Sequence, residues 1–112
     1  MANNFFVKTE AGVGSTLTQV ATYAPGSGVE TTIIGLTVAN VETSQIQVDV
    51  KLVTDGADDD VYLIKSAPVP VGSSLVVVGG DQKVVLNEGD YIQVYSDTAA
   101  SADVAMSILE IS

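Results

Sequence analysis

Apolar and polar side chains alternate with a period of two residues, and this pattern constrains the fold more than any other feature of the chain. It is clearest over residues 45–53, where every second position is apolar: Ile46, Val48, Val50 and Leu52. The positions between them are polar or charged: Gln47, Asp49 and Lys51. Successive side chains of a β-strand point to opposite faces, so this stretch is predicted to be a half-buried antiparallel strand. Apolar spacing typical of a helix is essentially missing, which predicts an all-β chain.

The same alternation recurs between clusters of glycine, asparagine, aspartate and serine. It predicts further strands over residues 5–9, 17–23, 31–40, 61–67, 73–78, 83–86, 91–96 and 104–111. In the third of these, Ile34, Leu36 and Val38 are expected to point inward. Eight to nine short strands with turns about ten residues apart indicate an antiparallel β-sandwich, jelly-roll-like in type.

Several segments are predicted to end or connect these strands. Residues 40–44 are expected to form a hairpin turn, and residues 79–82 and 87–90 to form tight turns that contain glycine. Pro68 and Pro70 are expected to close the strand over residues 61–67, because proline cannot donate a hydrogen bond to a ladder.

One compact domain is the expectation for 112 residues, since this length supports a single hydrophobic core. The sandwich body is predicted to span residues 31–112. Residues 1–30 follow the alternation more loosely and are rich in glycine, so they form either an arm that leaves the body or two ordinary edge strands. The first six residues lack the basic region and the apolar stretch of a signal peptide.

The charge of the chain excludes several classes of partner. The net charge is −10, from fourteen carboxylates against four lysines, and there is no arginine. Nucleic acids and anionic membrane surfaces both require a basic footprint, so neither is an expected partner. Hydrophobic residues make up 46 % of the chain, which is more than a small domain can bury. Apolar surface is therefore expected to stay exposed and to bind a partner.

The residue types that most enzymes use are missing. The chain has no histidine to act as a general base near neutral pH, no cysteine thiolate and no arginine to clamp phosphate. Serines are plentiful, but a serine without a base is a weak nucleophile. A carboxylate pair is conceivable by number alone, yet a small sandwich offers little cleft and there is no tryptophan platform for a sugar. The chain is predicted not to be an enzyme.

A run of carboxylates is the one candidate for metal binding, with Asp55, Asp58, Asp59 and Asp60 as the possible ligands. A hard cation such as calcium would relieve their mutual repulsion. However, the run lacks the alternating spacing and the final glutamate of a calcium loop. A solvated hairpin tip explains the same residues through turn propensity. We therefore predict no cofactor and keep calcium as the alternative.

Two groups of side chains are candidates for an interface. Tyr91, Gln93 and Tyr95 share one face of a predicted strand if Ile92 and Val94 point inward, and outward aromatic residues are enriched at protein interfaces. The alternative is that these side chains belong to an ordinary outer face of the sheet that binds no partner. Phe5 and Phe6 near the N-terminus form the second group.

The C-terminal half contains three stretches with a recognisable sequence pattern: residues 67–75 (APVPVGSSL), 83–94 (KVVLNEGDYIQV) and 103–110 (DVAMSILE). With these, residues 30–112 resemble small virion structural proteins of tailed bacteriophages, including phages of marine cyanobacteria. The element Leu86-x-x-Gly89-Asp90-x-Ile92 is also similar to a late hairpin of tumour-necrosis-factor-like trimers. Such trimers would account for spare apolar surface.

The resemblance implies a non-enzymatic virion component that is synthesised in the host cytoplasm and assembled in many copies. Its expected partners are further copies of itself, with a trimer favoured, and the major capsid protein or other virion proteins. A capsid decoration or cement protein fits best, and a neck, tail or fibre component is the alternative. A receptor- or carbohydrate-binding module and a calcium-stabilised adhesion domain are competing functions. The resemblance transfers no catalytic or ligand residues.

Overall fold

Short β-strands make up most of the chain. The computed structural model describes residues 3–55, 59–79 and 82–111, and within these ranges there are nine strands and one short 3-10 turn, Val20–Thr22. The strands are β1 (Asn3–Val13), β2 (Thr18–Gln19), β3 (Glu30–Asn40), β4 (Ile46–Val53), β5 (Val61–Val69), β6 (Ser74–Val78), β7 (Val84–Leu86), β8 (Tyr91–Ser96) and β9 (Ala102–Ile111). No helix in the described ranges is long and apolar enough to cross a membrane.

The strands form two antiparallel sheets that pack face to face. Sheet A has the order β1-β9-β3-β6, and β7 lies beside β3 on the same side as β6. Sheet B has the order β2-β8-β4-β5. The predicted all-β antiparallel sandwich is confirmed.

The core lies between the two sheets and is filled by aliphatic side chains. Sheet B contributes Ile46, Val48, Val50, Val69, Ile92 and Val94. Sheet A contributes Val13, Ile33, Leu36, Val38, Val78, Leu86, Ala102, Val104, Met106 and Ile108. The alternation over residues 45–53 therefore identifies the inward side chains of β4, except that Leu52 at its end is only half-buried.

A β-bulge in β3 reverses which of its side chains face the core. Between Ile33 and Gly35, β3 has one more residue than β9 opposite it, so Ile34 is the inserted residue. Ile33 is buried before the bulge, and Leu36 and Val38 are buried after it. The expectation of an inward side chain was thus right for Leu36 and Val38 but wrong for Ile34, which is half-buried. Because the side-chain period of a strand is two, one inserted residue exchanges its faces.

Residues 40–44 do not form a hairpin, contrary to the prediction, because they carry the chain from sheet A to sheet B. Asn40 at the end of β3 organises this crossing. Its side-chain amide donates hydrogen bonds to the carbonyl oxygens of Ser44 and Val69, both at 2.9 Å. Its Oδ1 accepts a hydrogen bond from the backbone N–H of Glu42 at 2.8 Å. The short polar segment resembles a hairpin turn in sequence, but β3 and β4 pair with other strands.

Proline does not end β5 where it was expected to. The strand continues through Pro68 to Val69, which pairs with Ile46. This is possible because β5 is the edge strand of sheet B, so its outer backbone groups need no ladder partner. Two register shifts against β4 also interrupt its regular pairing.

The turns between β6 and β8 are partly as predicted. Asn87–Asp90 is a tight turn in which Asp90 N–H donates to Asn87 O at 3.0 Å and Gly89 has φ +82°. Gln82 N–H donates to Gly79 O at 3.2 Å, while residues 80 and 81 lie outside the described ranges. β6 and β7 do not pair with each other, because both lie antiparallel to β3 at successive positions.

Over residues 3–30 the chain contributes edge strands to both sheets. β1 pairs with β9 from Asn3 to Glu10 without a register shift, and β2 pairs with β8. Tyr23 follows the 3-10 turn, and its hydroxyl donates a hydrogen bond to Glu110 Oε2 at 2.5 Å. Burial of the ring and the bond to the Glu110 carboxylate raise the pKa of Tyr23 to about 12. This contact joins the N-terminal segment to β9.

Candidate functional site

The outer faces of the two sheets differ in chemistry. On the outer face of sheet A, β1 contributes Phe5, Val7 and Thr9, whose partners on β9 are Leu109, Ser107 and Ala105. Further across the sheet, Thr32 and Thr37 on β3 have Val85 and Val76 as partners. Among these described residues every side chain is uncharged, so the middle of this face is apolar or weakly polar.

Four apolar side chains stand out from the outer face of sheet A: their exposed fractions are 71 % for Phe5, 62 % for Val7, 63 % for Val76 and 54 % for Val85. We call these four residues the apolar patch. Single exposed apolar residues are ordinary in soluble proteins, but several on one sheet face are typical of a surface that contacts another protein.

A shallow depression lies on the same face, towards the Asp103 end of β9. Its volume is about 280 Å³, and it is lined mainly by small side chains: Thr9, Glu10, Ala11, Thr37, Ala39, Asp103, Val104 and Ala105. Because alanine and threonine side chains are small, this part of the surface is recessed, whereas the side chains of the apolar patch protrude. The face therefore offers both protruding side chains and a recess to a partner.

The outer face of sheet B is polar and aromatic. Ile92 and Val94 are buried, so Tyr91, Gln93 and Tyr95 lie together on the opposite face of β8, as their spacing predicted. Their partners on β4 are Val53, Lys51 and Asp49, in the same order. Their role in binding stays a prediction. Phe5 and Phe6 belong to sheet A, so the two groups of interface candidates lie on different sheets.

A polar depression of about 380 Å³ opens on this face and is lined by Ser15, Leu17, Asp49, Tyr62, Lys65 and Tyr95. Asp49 is buried and accepts hydrogen bonds from Ser66 N–H at 2.7 Å and from Lys65 Nζ at 3.0 Å. The hydrogen bond to Asp49 raises the pKa of Lys65 above its ordinary value. The Lys65 ammonium also lies 4.6 Å from the centroid of the Tyr62 ring, within the range of a cation–π contact.

Asp49 occupies this position because β5 is bulged opposite it. Val48 pairs with Ala67 and Val50 with Ile64, so two residues of β5 oppose Asp49. One of them, Ser66, has φ +53°, which turns its N–H towards the carboxylate. The sequence placed Asp49 on the outer face of its strand but gave no sign that it would be buried there.

The carboxylate run is described only in part, since Asp58 lies outside the described ranges. Asp60 Oδ1 accepts a hydrogen bond from Thr54 N–H at 2.9 Å, and Asp55 N–H donates to Asp90 Oδ1 at 3.0 Å. Across the ranges that the structure describes, no three metal-binding side chains lie together. The described hydrogen bonds are those of a loop that joins β4 to β5. Calcium binding by Asp55, Asp58, Asp59 and Asp60 stays an untested alternative.

Sequence reasoning missed most of the apolar patch. Val76 and Val85 sit within short apolar runs, Leu75–Val78 and Val84–Leu86, where alternation cannot be seen because both faces are apolar. Val85 lies one residue before the buried Leu86, so simple alternation places it outward. Val76 lies two residues before the buried Val78 and faces outward only because of the register shift between β6 and β3, which no local pattern records. Val7 was missed in the same way beside the two phenylalanines.

Comparison with known proteins identifies the fold but no family. No protein-family model matches the chain, and no curated protein matches its sequence. A chain in a solved structure of Bacillus endospore appendages, described as a novel family of disulfide-linked pili, is similar to it with a TM-score of 0.50 and 14 % sequence identity. The match covers 96 % of this chain and 85 % of that chain. At this identity the likeness is one of fold.

Proposed function

We propose that this chain is a non-enzymatic structural protein that assembles through the outer face of sheet A. The observation that carries the proposal is the apolar patch: Phe5, Val7, Val76 and Val85 are each more than half exposed on one sheet face, and the residues paired with them across the strands are uncharged. Burying this patch against another protein removes apolar surface from water, which is the main driving force of association.

The rest of the molecule suits a building block. The sequence has no histidine, cysteine or arginine, and both depressions described above are shallow and open. The similar fold among disulfide-linked pili shows that such a sandwich can serve in an assembly. This chain has no cysteine, so copies of it cannot be linked by disulfides.

We place this building block in the virion of a tailed bacteriophage, as a decoration or cement protein on the capsid. Support comes from the resemblance of residues 30–112 to small virion proteins and from the polarity of the two faces. An apolar face can dock on a shell while the polar, acidic remainder faces solvent. A neck, tail or fibre position is the alternative within the same proposal.

Co-sedimentation with capsid shells of the virus that encodes the chain tests this function. The Val76→Lys, Val85→Lys double variant places two charges in the apolar patch and is expected to lose binding. The matched control is Gln47→Lys, Gln93→Lys, which adds the same charge on the outer face of sheet B and is expected to bind like the wild type. Equal binding by both variants would contradict the role of the patch, and a gene with no virion genes beside it would contradict the location.

A second candidate function is a receptor- or carbohydrate-binding module that uses the outer face of sheet B. The observation in its favour is the polar depression, where Tyr62 and Tyr95 flank the Asp49–Lys65 ion pair. Aromatic rings beside hydrogen-bonding groups are suited to a sugar ring. Glycan-array binding that Tyr95→Ala abolishes and Tyr91→Ala preserves would favour this function, and an array without any signal would remove its support.

A further inference from the structure

We infer that two copies of this chain pair through the free edge of β1, antiparallel about a two-fold axis, so that their A sheets become one continuous sheet. The inference rests on the proposed structural role and names the contact between copies. Its starting point is the chemistry of a sheet edge. An unpaired edge presents a row of backbone N–H and C=O groups, and the group that satisfies them best is another β-strand.

Three of the four sheet edges are protected against such pairing. β2 at one edge of sheet B has only two residues. β5 at the other edge carries Pro68 and two register shifts, and Ser66 within it has φ +53°. The β6–β7 edge of sheet A is interrupted between Val78 and Val84. Short strands, prolines and bulges are the devices by which proteins prevent edge-to-edge association.

β1 differs from these three edges. It runs regularly from Asn3 to Glu10, and in the described residues its far side pairs with no strand. Lysine often protects an edge, but Lys8 Nζ lies 5.5 Å from the centroid of Phe6 and 5.3 Å from that of Tyr23. The carboxylate of Glu10 is held by Ala21 N–H at 2.9 Å. The Lys8 ammonium and the Glu10 carboxylate therefore interact within their own chain and do not block the edge of β1.

The sequence of β1 favours a second copy as the occupant. Phe5, Phe6 and Val7 are exposed by 71, 43 and 62 %, and polar residues flank them on both sides. An apolar centre with polar flanks is complementary to itself when a second strand lies antiparallel. β1 is also locally neutral, with one lysine and one glutamate, in a chain whose net charge is −10. Charge repulsion between two copies is therefore small along this edge.

A register centred on Phe6 matches the side chains best. It places Phe6 opposite Phe6 of the second copy, Phe5 opposite the copy's Val7, and Asn4 opposite the copy's Lys8. Aromatic pairs and aromatic–β-branched pairs are stabilising cross-strand neighbours. A register centred on Lys8 would instead place two ammonium groups opposite each other, and one centred on Val7 would place Lys8 opposite Phe6.

The dimer would present the apolar patches of two copies side by side on one sheet face, where both can contact the capsid shell. At this contact Phe5, Phe6 and Val7 would bury on the order of 300 Å² per copy, judged from the usual area of such side chains. This is less than a standard protein–protein interface, so the pair is expected to be a weak dimer that a common docking surface reinforces. Two-fold edge pairing also closes at two copies rather than at three.

Cysteine trapping tests the contact directly, because the chain has no cysteine of its own. In the Phe6-centred register, the thiols of a Phe6→Cys variant lie opposite each other at a spacing that a disulfide accepts. The controls are Thr9→Cys, exposed on the same strand but not opposite itself, and Val85→Cys on the outer face of sheet A. We expect Phe6→Cys to give roughly tenfold more disulfide-linked dimer than either control under mild oxidation, since pairing raises the effective thiol concentration.

A second measurement uses the unmodified chain. Backbone amide hydrogen exchange over residues 3–9 should slow as the protein concentration rises, while exchange in β5 stays unchanged. Efficient trapping of Val85→Cys instead would show face-to-face stacking and overturn edge pairing while leaving the proposed docking face intact. Equal trapping of Phe6→Cys and Thr9→Cys, with exchange in β1 independent of concentration, would overturn edge pairing as well. Loss of shell binding in the Val76→Lys, Val85→Lys variant is measured separately and tests the proposed function alone.

Discussion

The crossing between the two sheets depends on the side chain of Asn40, and its removal should destabilise the fold measurably. Asn40 is buried, with 5 % of its surface exposed. Its amide group bridges the connection to sheet B through Ser44 O and Val69 O, and its Oδ1 holds Glu42 N–H. Asn40→Ala removes all three hydrogen bonds while leaving the apolar core unchanged.

The expected loss follows from which of these groups water can reach. The bond to Val69 O is buried, so its loss leaves an unsatisfied carbonyl at a cost of about 2 kcal/mol. The bonds to Ser44 O and Glu42 N–H are only partly buried, and water replaces them at a cost of about 0.5 kcal/mol each. The free energy of unfolding should therefore fall by about 3 kcal/mol, with a decrease in Tm of about 12 °C for a domain of this size.

Urea unfolding followed by far-ultraviolet circular dichroism measures this loss, and Ser44→Ala is the matched control because it keeps the carbonyl acceptor. Asn40→Asp sharpens the test. The carboxylate keeps the bond from Glu42 N–H but faces two carbonyl oxygens, which raises its pKa in the folded state. Its stability relative to the wild type should therefore be best below about pH 4 and decline as the pH rises. A loss below about 0.5 kcal/mol in Asn40→Ala, or a pH-independent deficit in Asn40→Asp, would refute the reasoning.

Three further predictions concern the core, the sheet B depression and the N-terminal segment. In urea unfolding, Ile33→Ala should lower the free energy of unfolding by about 3 kcal/mol and Ile34→Ala by about 1 kcal/mol, because only Ile33 is fully buried. Equal losses in the two variants would contradict the β-bulge at Ile34. Asp49→Ala should lower the free energy of unfolding by about 2 kcal/mol, because it leaves the Ser66 N–H in the bulge without an acceptor. Asp49→Asn keeps an acceptor for that N–H and should lower it by less than about 1 kcal/mol, since the Lys65 ammonium that pairs with Asp49 is exposed. Unfolded tyrosine loses its proton near pH 10 but Tyr23 retains it until about pH 12. Stability should therefore fall across this window by about 1 kcal/mol after solvent screening, and a Tyr23→Phe variant that keeps the same slope in alkaline unfolding curves would contradict the assignment.

Much of the sandwich could be read from the sequence, because the period of two is a local property of a strand. The buried faces of β4 and β8 followed directly from alternation, as did the strand boundaries of β8. The same pattern placed Tyr91, Gln93 and Tyr95 on one outer face. The turn at residues 87–90 followed from local chemistry, since a glycine with positive φ needs no distant contact.

Other features depend on contacts that no local pattern records. The sequence could not show that residues 40–44 cross between sheets, because a short polar connection looks the same whether its flanking strands pair with each other or with distant partners. It could not place Ile34 outside the core, because the bulge is defined only against β9. The burial of Asp49 depends on an irregularity in β5 rather than in its own strand.

The sequence by itself determined the all-β class, the antiparallel strands and an excess of apolar residues, because composition and alternation act residue by residue. Only the tertiary structure decided where that excess lies. Pairing of β1, β9, β3, β6 and β7 in one sheet brings outward valines and Phe5 from distant parts of the chain onto a single face. It also leaves the regular edge of β1 unpaired while short length, proline and bulges protect the other edges. Which residues are neighbours across a sheet is set by strand order and register, and these are properties of the whole fold.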